Sequence, residues 1–259
     1  MTRILDLNCD LGESFGAWRL GDDAGVLPHV SSANIACGFH AGDPQTMQAT
    51  VALARAHGVA LGAQPGWPDL VGFGRRALAA TPAETHALVL YQIGALAAFA
   101  HAAGARLAHV KPHGALYNQA ARDRALADAV AQAVRDFDPS LILFGLAGSA
   151  LIEAGRAFGL TVAREAFADR RYQADGSLTP RSQPGALIDD IDAAVAQALR
   201  IATRGEAIAI DGTPIAITAD TLCVHGDRPD AAEFARRLRQ ALDAANVHVT
   251  APGRPERAP

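Results

Sequence analysis

The fold class of this chain is decided by the stretch Arg106-Leu107-Ala108-His109-Val110-Lys111-Pro112-His113-Gly114, a short apolar run that ends in charged and polar residues. Successive side chains of an extended strand point to opposite faces, so His109, Lys111 and His113 share one face. Ala108 and Val110 share the other. A lysine on the inner face of a sheet is too costly to bury without an anionic partner. The pattern therefore predicts a strand whose polar face leads into a site.

Three other apolar runs end in the same way, with acidic or imidazole groups. They are Asn8-Cys9-Asp10-Leu11-Gly12-Glu13, Asn34-Ile35-Ala36-Cys37-Gly38-Phe39-His40-Ala41-Gly42-Asp43 and Leu222-Cys223-Val224-His225-Gly226-Asp227. In an α/β barrel the carboxyl ends of the strands converge on one face, where active sites are built. The recurrence of titratable groups at strand ends therefore indicates an enzyme.

Apolar runs alternate with helical patterns along the chain. The runs at 4–9, 33–37, 59–64, 106–111, 141–145, 160–165 and 221–225 are predicted strands. Helices are predicted from the cap at Asp43 to Gly58, from the capping box Thr81-Pro82-Ala83-Glu84 to Gly104, and over 121–137, 185–204 and 231–245, with a short helix before Gly159 and a hairpin over 206–217. This alternation predicts a parallel sheet with right-handed crossover connections.

We therefore predict an α/β fold, an irregular (β/α) TIM-like barrel of about seven parallel strands that forms a single domain over residues 1–250. An open doubly wound sheet is the alternative. The barrel is favoured because polar groups follow nearly every predicted strand, whereas an open sheet needs them only near its switch point. Residues 251–259 are rich in proline and arginine and are expected to fray.

The composition argues against several classes of protein. A net charge of −4 provides no basic surface for nucleic acid, and no apolar run is long enough to span a bilayer. The N-terminus has no apolar signal region, and the three cysteines lack paired spacing, which fits a reducing compartment. We expect a cytoplasmic protein in which Cys9 and Cys37 pack against helices as small apolar groups.

Two long connections carry arginines. They span 66–80, with Arg75 and Arg76, and 168–183, with Arg170 and Arg181. Loops of this length in a compact domain are usually lids or binding loops, and guanidinium groups suit carboxylates and phosphates. The alternative is that these arginines are solvated on a mobile loop. For Arg75 and Arg76 we weigh ligand binding and solvation equally.

Carboxylates and histidines at the strand ends indicate how such a site works. Asp10 and Glu13 can act as a general base or bind a ligand, although Asp10 can also simply cap a turn. The anionic partner of Lys111 is Asp10, Glu13 or the substrate. No phosphate-binding glycine loop occurs, and the one Gly-x-Ser-x-Gly match, Gly12-Glu13-Ser14-Phe15-Gly16, is not followed by a predicted helix as a nucleophile elbow would be. Water activated by a carboxylate or by a histidine is therefore the expected nucleophile.

The strand-end segments, extended by Ala115-Leu116-Tyr117-Asn118 and by Phe167-Ala168-Asp169-Arg170, resemble the LamB/YcsF family over residues 4–249. The resemblance implies an irregular barrel related to sugar deacetylases. It also implies a role as the A subunit of a bacterial ATP-dependent 5-oxoprolinase, which works with B and C subunits. That enzyme converts 5-oxo-L-proline, ATP and water into L-glutamate, ADP and phosphate. The expected cofactor is thus ATP with Mg²⁺, bound partly on one of the partners.

The resemblance and the polar strand ends together assign roles to individual residues. The expected catalytic residues are Asp10, Glu13, His40, Lys111 and His113. Substrate binding is expected from Asn8, Gln64, Asp169, Arg170, Arg181 and His225. If a metal binds, its expected ligands are Asp10, His40 and His113, although none of these residues lies on a predicted helix as one of a closely spaced pair of ligands.

One position departs from the family pattern. The family usually reads Gly-Ala-His-Pro after the third strand, and this sequence reads Gly62-Ala63-Gln64-Pro65. Glutamine forms hydrogen bonds but cannot shuttle protons, and it is a poor ligand for transition metals. Three hypotheses follow. They are ATP-coupled lactam hydrolysis, which we prefer, a metal-dependent amide or sugar deacetylase on the same barrel, and a non-catalytic regulatory subunit.

Overall fold

The structure, a computed structural model, describes residues 3–253. Its strands are β1 (Arg3–Leu11), β2 (Ser32–Ala36), β3 (Ala60–Gln64), β4 (Leu107–Val110), β5 (Ile142–Leu146), β6 (Val162–Phe167), β7 (Glu206–Ile208), β8 (Pro214–Ala216), β9 (Thr221–Val224) and β10 (Val247–Val249). Its helices are α1 (Asp23–Val26), α2 (Pro44–Ala56), α3 (Pro82–Ala102), α4 (Gly114–Ala120), α5 (Arg124–Phe137), α6 (Ala150–Ala157), α7 (Ile191–Arg204) and α8 (Ala231–Ala244), with a 3-10 turn at Leu27–His29.

A parallel sheet closes on itself to form the barrel. Its order is β1-β2-β3-β4-β5-β6-β9, and β9 pairs back onto β1, with Asp6 opposite Thr221 and Asn8 opposite Cys223. The predicted closed barrel of parallel strands is therefore confirmed, and the open sheet is wrong. Helical crossovers between the strands keep them parallel and cover the outer face of the barrel.

One further strand was not predicted. β10 pairs in parallel with β1 over Arg3 to Leu5, before the residues of β1 that pair with β9. Three residues are too few to show the alternation that identifies a strand from sequence. The first residues of β1 have no partner on β9, and Val247–Val249 becomes a strand by pairing with them.

The two faces of a barrel strand differ in chemistry, as β1 shows. Leu7 and Cys9 lie in the hydrophobic core between the sheet and the helices. Asp6 and Asn8 point into the barrel, where they bond to Thr221. β1 therefore has the same alternation of polar and apolar faces that the sequence predicts for the fourth strand. Cys37 shares the outer core with Cys9, also as predicted, and the cysteines of the described chain are free.

Two helices begin at other residues than predicted. The helix predicted over 121–137 begins at Arg124, where Asp123 caps α5, and the separate short helix α4 that precedes it was not predicted. The helix predicted from residue 185 begins at Ile191, where Asp190 caps it. The predicted caps at Asp43 and Thr81 and the antiparallel hairpin of β7 and β8 are confirmed.

The segment expected to fray, residues 251–259, is described only as far as residue 253. Ala251 is buried, and Gly253 lies against Ile142 at the start of β5. Residues 254–259 lie outside the described residues. Among the helices of residues 3–253, none has the length and apolarity needed to cross a membrane.

Candidate active site

A cavity of about 550 Å³ opens at the carboxyl ends of the barrel strands. Six of the predicted site residues line it: Asp10, Lys111, His113, Arg170, Arg181 and His225. Tyr117, Phe167 and Leu178 add aromatic and apolar surface to the wall. The parallel strands end on one face, so residues that are distant in the chain share this space.

Lys111 is the centre of a polar cluster at the cavity floor. It is the only lysine among the 23 lysine and arginine residues of the chain. Its Nζ lies 3.0 Å from Asp10 Oδ1 and 2.7 Å from Glu165 Oε1. The same atom lies 3.2 Å from Asn8 Oδ1 and 3.0 Å from Cys223 Sγ. A compact ammonium suits partners arranged around one point, which a planar guanidinium does not.

The charges of this cluster stabilise one another. Burial acts to lower the pKa of Lys111, but the Asp10 and Glu165 carboxyl groups outweigh it and raise that pKa well above its usual value. Burial likewise acts to raise the pKa of Asp10, and the Lys111 ammonium reverses this and lowers it. Lys111 and Asp10 therefore stay charged at neutral pH. A buried ammonium of this kind can polarise a carbonyl oxygen or hold a phosphate.

A chain of hydrogen bonds continues from Lys111 into the barrel. Asn34 donates to Asn8 Oδ1 at 2.7 Å, and Asn8 donates to Thr221 Oγ1 at 2.6 Å. The Thr221 hydroxyl in turn donates to Asp6 at 2.6 Å. Burial raises the pKa of Asp6 to about 6, although the neighbouring hydroxyl groups oppose the shift. Each amide and hydroxyl group of this chain has a defined hydrogen-bond partner, so the network holds Lys111 in one position.

His109 shares a strand face with Lys111 but packs inside the barrel. Its Nε2 lies 2.7 Å from Asn34 Oδ1, and its ring stacks on Phe144 with centroids 4.2 Å apart. Burial lowers the pKa of His109 to about 3, so the ring is neutral. Gly62 on the neighbouring strand provides the space, because a Cβ there would overlap the imidazole. This histidine therefore has a structural role.

His113 and Glu13 form an acid–base pair beside Asp10. His113 Nε2 lies 3.0 Å from the Phe73 carbonyl oxygen, so in the neutral ring this nitrogen carries the hydrogen and Nδ1 does not. Nδ1 lies 3.8 Å from Glu13 Oε1 and 4.0 Å from Asp10 Oδ2. Burial lowers the pKa of His113 to about 4. Burial and then the Asp10 charge raise the pKa of Glu13 well above its usual value.

His40 lies directly behind His113. The two rings stack with centroids 3.9 Å apart and planes at 4°. Burial, and then the neighbouring His113, hold the pKa of His40 well below its usual value. The 66–80 loop covers both rings closely at Gly74, where an added Cβ would lie 2.7 Å from His40 Cβ and where a φ of +64° also favours glycine. Both imidazoles are therefore neutral and held in place.

Two groups of side chains in the described chain have donor atoms close enough to share a metal ion, within 4.8 Å of one another. They are Glu13 with His40 and His113, and Asp10 with Cys223 and His225. The expected set of Asp10 and the two histidines is thus divided between them. Imidazole lone pairs lie in the ring plane, so two rings stacked at 4° cannot direct them at one ion. Burial raises the pKa of the Cys223 thiol, which opposes its use as a ligand.

The arginines of the 66–80 loop separate into two roles. Arg75 lines the cavity and lies 2.6 Å from Asp227. Arg76 pairs instead with Asp69, and two thirds of its side chain (66 %) is exposed. Of the two arginines for which binding and solvation were equally expected, Arg75 lies at the site and Arg76 does not.

The second long loop contributes Arg170 and Arg181 to the cavity wall. Arg170 donates to the Thr179 carbonyl oxygen at 2.7 Å, and its Nε has no partner within residues 3–253. Nearby, Asp169 lies 2.8 Å from His225 Nδ1 and orients that ring. Burial acts to raise the pKa of Asp169, but the neighbouring His225 outweighs it and lowers the pKa. Both arginines suit an anionic group of a ligand.

The predicted residues occupy two layers. Six line the cavity, and five lie behind it: Asn8, Glu13, His40, Gln64 and Asp169. Glu165, Phe167 and Cys223 were given no individual role from the sequence. Glu165 had a signal, because it is an acid at the end of an apolar run and shares a strand face with Phe167.

The chain matches the sequence model of the LamB/YcsF family over residues 5–257. It is 62 % identical over 251 residues to the A subunit of the 5-oxoprolinase of Bordetella pertussis, and the match covers 97 % of this chain and 100 % of the relative. It is 63 % identical over 253 residues to the corresponding A subunit of Methylococcus capsulatus, covering 98 % and 97 %. The crystal structure of the Lactam Utilization Protein from Thermus thermophilus is 54 % identical, with a TM-score of 0.90 over 96 % of this chain and 99 % of that one. As its strand-end motifs predicted, the chain belongs to the LamB/YcsF family.

Proposed function

We propose that this chain is the A subunit of an ATP-dependent 5-oxoprolinase and takes part in opening the lactam ring of 5-oxo-L-proline. The names of its relatives support this role. One observation of the site carries the proposal: Lys111 and Asp10 form a buried ion pair at the floor of the cavity, beside neutral His113. An ammonium, a carboxylate and a neutral imidazole together suit hydrolysis of an amide.

The cavity offers a partner for each part of 5-oxo-L-proline. Arg170 and Arg181 suit the carboxylate of the substrate. Phe167 and Leu178 provide apolar surface for the ring methylenes. The amide group would then lie toward the polar floor at Lys111.

ATP would drive the reaction. A five-membered lactam closes readily because its reacting ends are held close together, so opening it needs a coupled reaction. The amide oxygen attacks the γ-phosphoryl group and ADP leaves, which makes the amide carbon a better electrophile. Ring opening and phosphate release then consume two water molecules in total. The sequence lacks a glycine-rich nucleotide loop, so we assign part of the binding of ATP and Mg²⁺ to a partner, the B or the C subunit.

Each polar group of the floor has a separate task in this scheme. Lys111 stabilises negative charge on the amide oxygen or its phosphate. Asp10 stays ionised and orients the attacking water. The lactam nitrogen leaves as an amine and needs a proton. Glu13 can pass one to Nδ1 of His113, and the same atom then donates it, because Nε2 is bonded to the Phe73 carbonyl oxygen.

The test is to mix the purified chain with the B and C subunits and to measure glutamate and ADP formed from 5-oxo-L-proline and ATP. We expect ATP-dependent glutamate from the complete mixture and a loss of at least about 100-fold with Asp10→Asn. The B and C subunits without this chain are the blank. Absence of glutamate from the complete mixture contradicts the proposal. A tightly bound transition metal whose removal abolishes the activity would favour the hypothesis of a metal-dependent deacetylase. Glutamate formation at a normal rate by the natural chain would exclude the hypothesis of a non-catalytic regulatory subunit.

A further inference from the structure

A set of buried polar atoms behind the cavity wall has no direct hydrogen-bond partner among the described residues. The atoms are Nδ1 and Nε2 of His40, Oε1 and Nε2 of Gln64, and Oε1 of Glu13. His40 and Gln64 are 0 % exposed. Each buried polar atom without a hydrogen bond destabilises the fold, so five such atoms on three neighbouring side chains indicate a bound molecule that satisfies them.

The spacing of these groups fits a water molecule. A ring nitrogen of His40 and a carboxylate oxygen of Glu13 lie within 4.8 Å of each other, a distance that one water can bridge with two hydrogen bonds of about 2.8 Å. Burial lowers the pKa of His40 and the nearby Gln64 side chain opposes this, yet no direct bond of acceptable geometry joins them. The space is confined, because a Cβ added at Gly66 would lie 2.5 Å from His40 Nδ1.

We propose that Gln64 is a positioning residue: with His40 and Glu13 it holds an enclosed water molecule behind His113, and this water fixes the imidazole that faces the cavity. Gln64 does not line the cavity, so it acts through the histidines and not on the substrate. Its amide offers both a donor and an acceptor and does not titrate. The site can therefore keep its water without a histidine at this position.

The stacked histidines favour water over a metal ion as the occupant. Two imidazoles with planes at 4° cannot both direct in-plane lone pairs at one ion, whereas the proposed water bonds to only one of the two rings and takes its other hydrogen bonds from Gln64 and Glu13. Glutamine is also a poor ligand for a transition metal. A metal ion in this space is the outcome that would overturn the assignment.

The kinetic test, which rests on the proposed function, uses the complex of this chain with the B and C subunits. Gln64→Leu keeps the approximate size of the side chain and removes its hydrogen bonds. We expect kcat to fall about 10- to 100-fold while KM for 5-oxo-L-proline changes less than about twofold, because ground-state contacts are unaffected. Gln64→His, which can still bond to the water, should recover most of the activity. Gln132→Leu on the exposed face of α5 is the matched control and should leave both constants unchanged.

A pH profile separates positioning from a merely structural role. Gln64→Glu places a carboxyl group beside His40, and a neighbouring negative charge raises the pKa of an imidazole. The acidic limb of the kcat profile should therefore move to higher pH in this variant. Unchanged kcat in Gln64→Leu, a rise in KM alone, or a uniform loss of kcat with no shift of the limb would each overturn the proposal.

A crystal structure of the chain by itself provides a test that needs no activity. It should show a water within hydrogen-bond distance of His40 and Gln64, absent or displaced in Gln64→Leu. A metal ion there, or direct bonds that leave no space, would overturn the inference. If the wild-type complex forms no glutamate but the water is present, the proposed function fails and the water site stands.

Discussion

Replacing Lys111 by methionine should destabilise the fold strongly, because it leaves two carboxyl groups in the barrel without their cation. The Lys111 ammonium lies 3.0 Å from Asp10 and 2.7 Å from Glu165. With an effective dielectric constant of about 20, each pair is worth about 5–6 kcal/mol of Coulomb energy, most of which offsets desolvation. Removing one partner of a buried pair typically costs about 3–5 kcal/mol, which we expect here at pH 8.

The loss should depend on pH in a defined direction. In the wild type the pKa of Asp10 is lowered in the folded state, so its contribution is present above the unfolded pKa and disappears as pH falls through the folded one. In Lys111→Met the cause of that lowering is gone, and burial raises the pKa of Asp10 above the unfolded value. The penalty then exists at high pH and is relieved as protons bind. Lys111→Met should therefore lose more stability at pH 8 than at pH 5.

The assay is urea denaturation of the purified chain at both pH values, with the free energy of unfolding extrapolated to water. Arg164→Met is the control, because it breaks a pair with Asp220 at 2.6 Å whose side chains are about one third exposed (34 % and 36 %). That change should cost less than about 1 kcal/mol at either pH. Adding Glu165→Gln to Lys111→Met removes one unpaired charge and should recover part of the loss. A loss below about 1 kcal/mol for Lys111→Met, or equal losses at pH 5 and pH 8, would refute the reasoning.

Three further outcomes are expected. Lys111→Arg should reduce glutamate formation by the complex about as much as Lys111→Met does, because a planar guanidinium does not fit between Asp10 and Glu165; wild-type turnover would contradict this. His109→Gln should make the fold less sensitive to acid, because the unfolded histidine binds a proton below about pH 6.5 while the folded ring, with a pKa of about 3, stays neutral. In urea denaturation, the free energy of unfolding should fall by about 2–3 kcal/mol less between pH 7 and pH 4.5 in the variant than in the wild type. An equal fall in both proteins would argue against this. Gly62→Ala should lower the midpoint of thermal unfolding by several degrees or prevent folding, because the methyl group overlaps the His109 ring, and an unchanged midpoint would be inconsistent with the packing.

Elements with a long local pattern were predictable, and elements decided by neighbouring strands were not. The capping box at Thr81 and the cap at Asp43 are local signals, and the helices begin where they indicate. β10 has no such pattern and exists because β1 extends beyond its contact with β9. Helix α4 was also missed, because it spans only seven residues and has no side-chain cap at its start.

The residues of the site divide in the same way, into those that a local pattern indicates and those that only the tertiary structure brings together. The sequence indicated that Lys111 needs an anion and offered Asp10, Glu13 or the substrate. The structure selects Asp10 and adds Glu165, which lies on β6, far away in the chain. Glu13 instead lies beside His113. No local pattern distinguishes these acids, because their distances depend on how strands are staggered around the barrel.

By itself, the sequence determined the class of fold, the family, and the face of each strand on which the polar groups lie. Side-chain alternation along a strand is a local property, so it can be read without knowing which strands are neighbours. Only the tertiary structure decided which groups meet: Lys111 with Glu165, Glu13 with His113, and His40 stacked between His113 and the space beside Gln64. Pairing register and closure set these contacts, and they belong to the whole barrel and to no single segment.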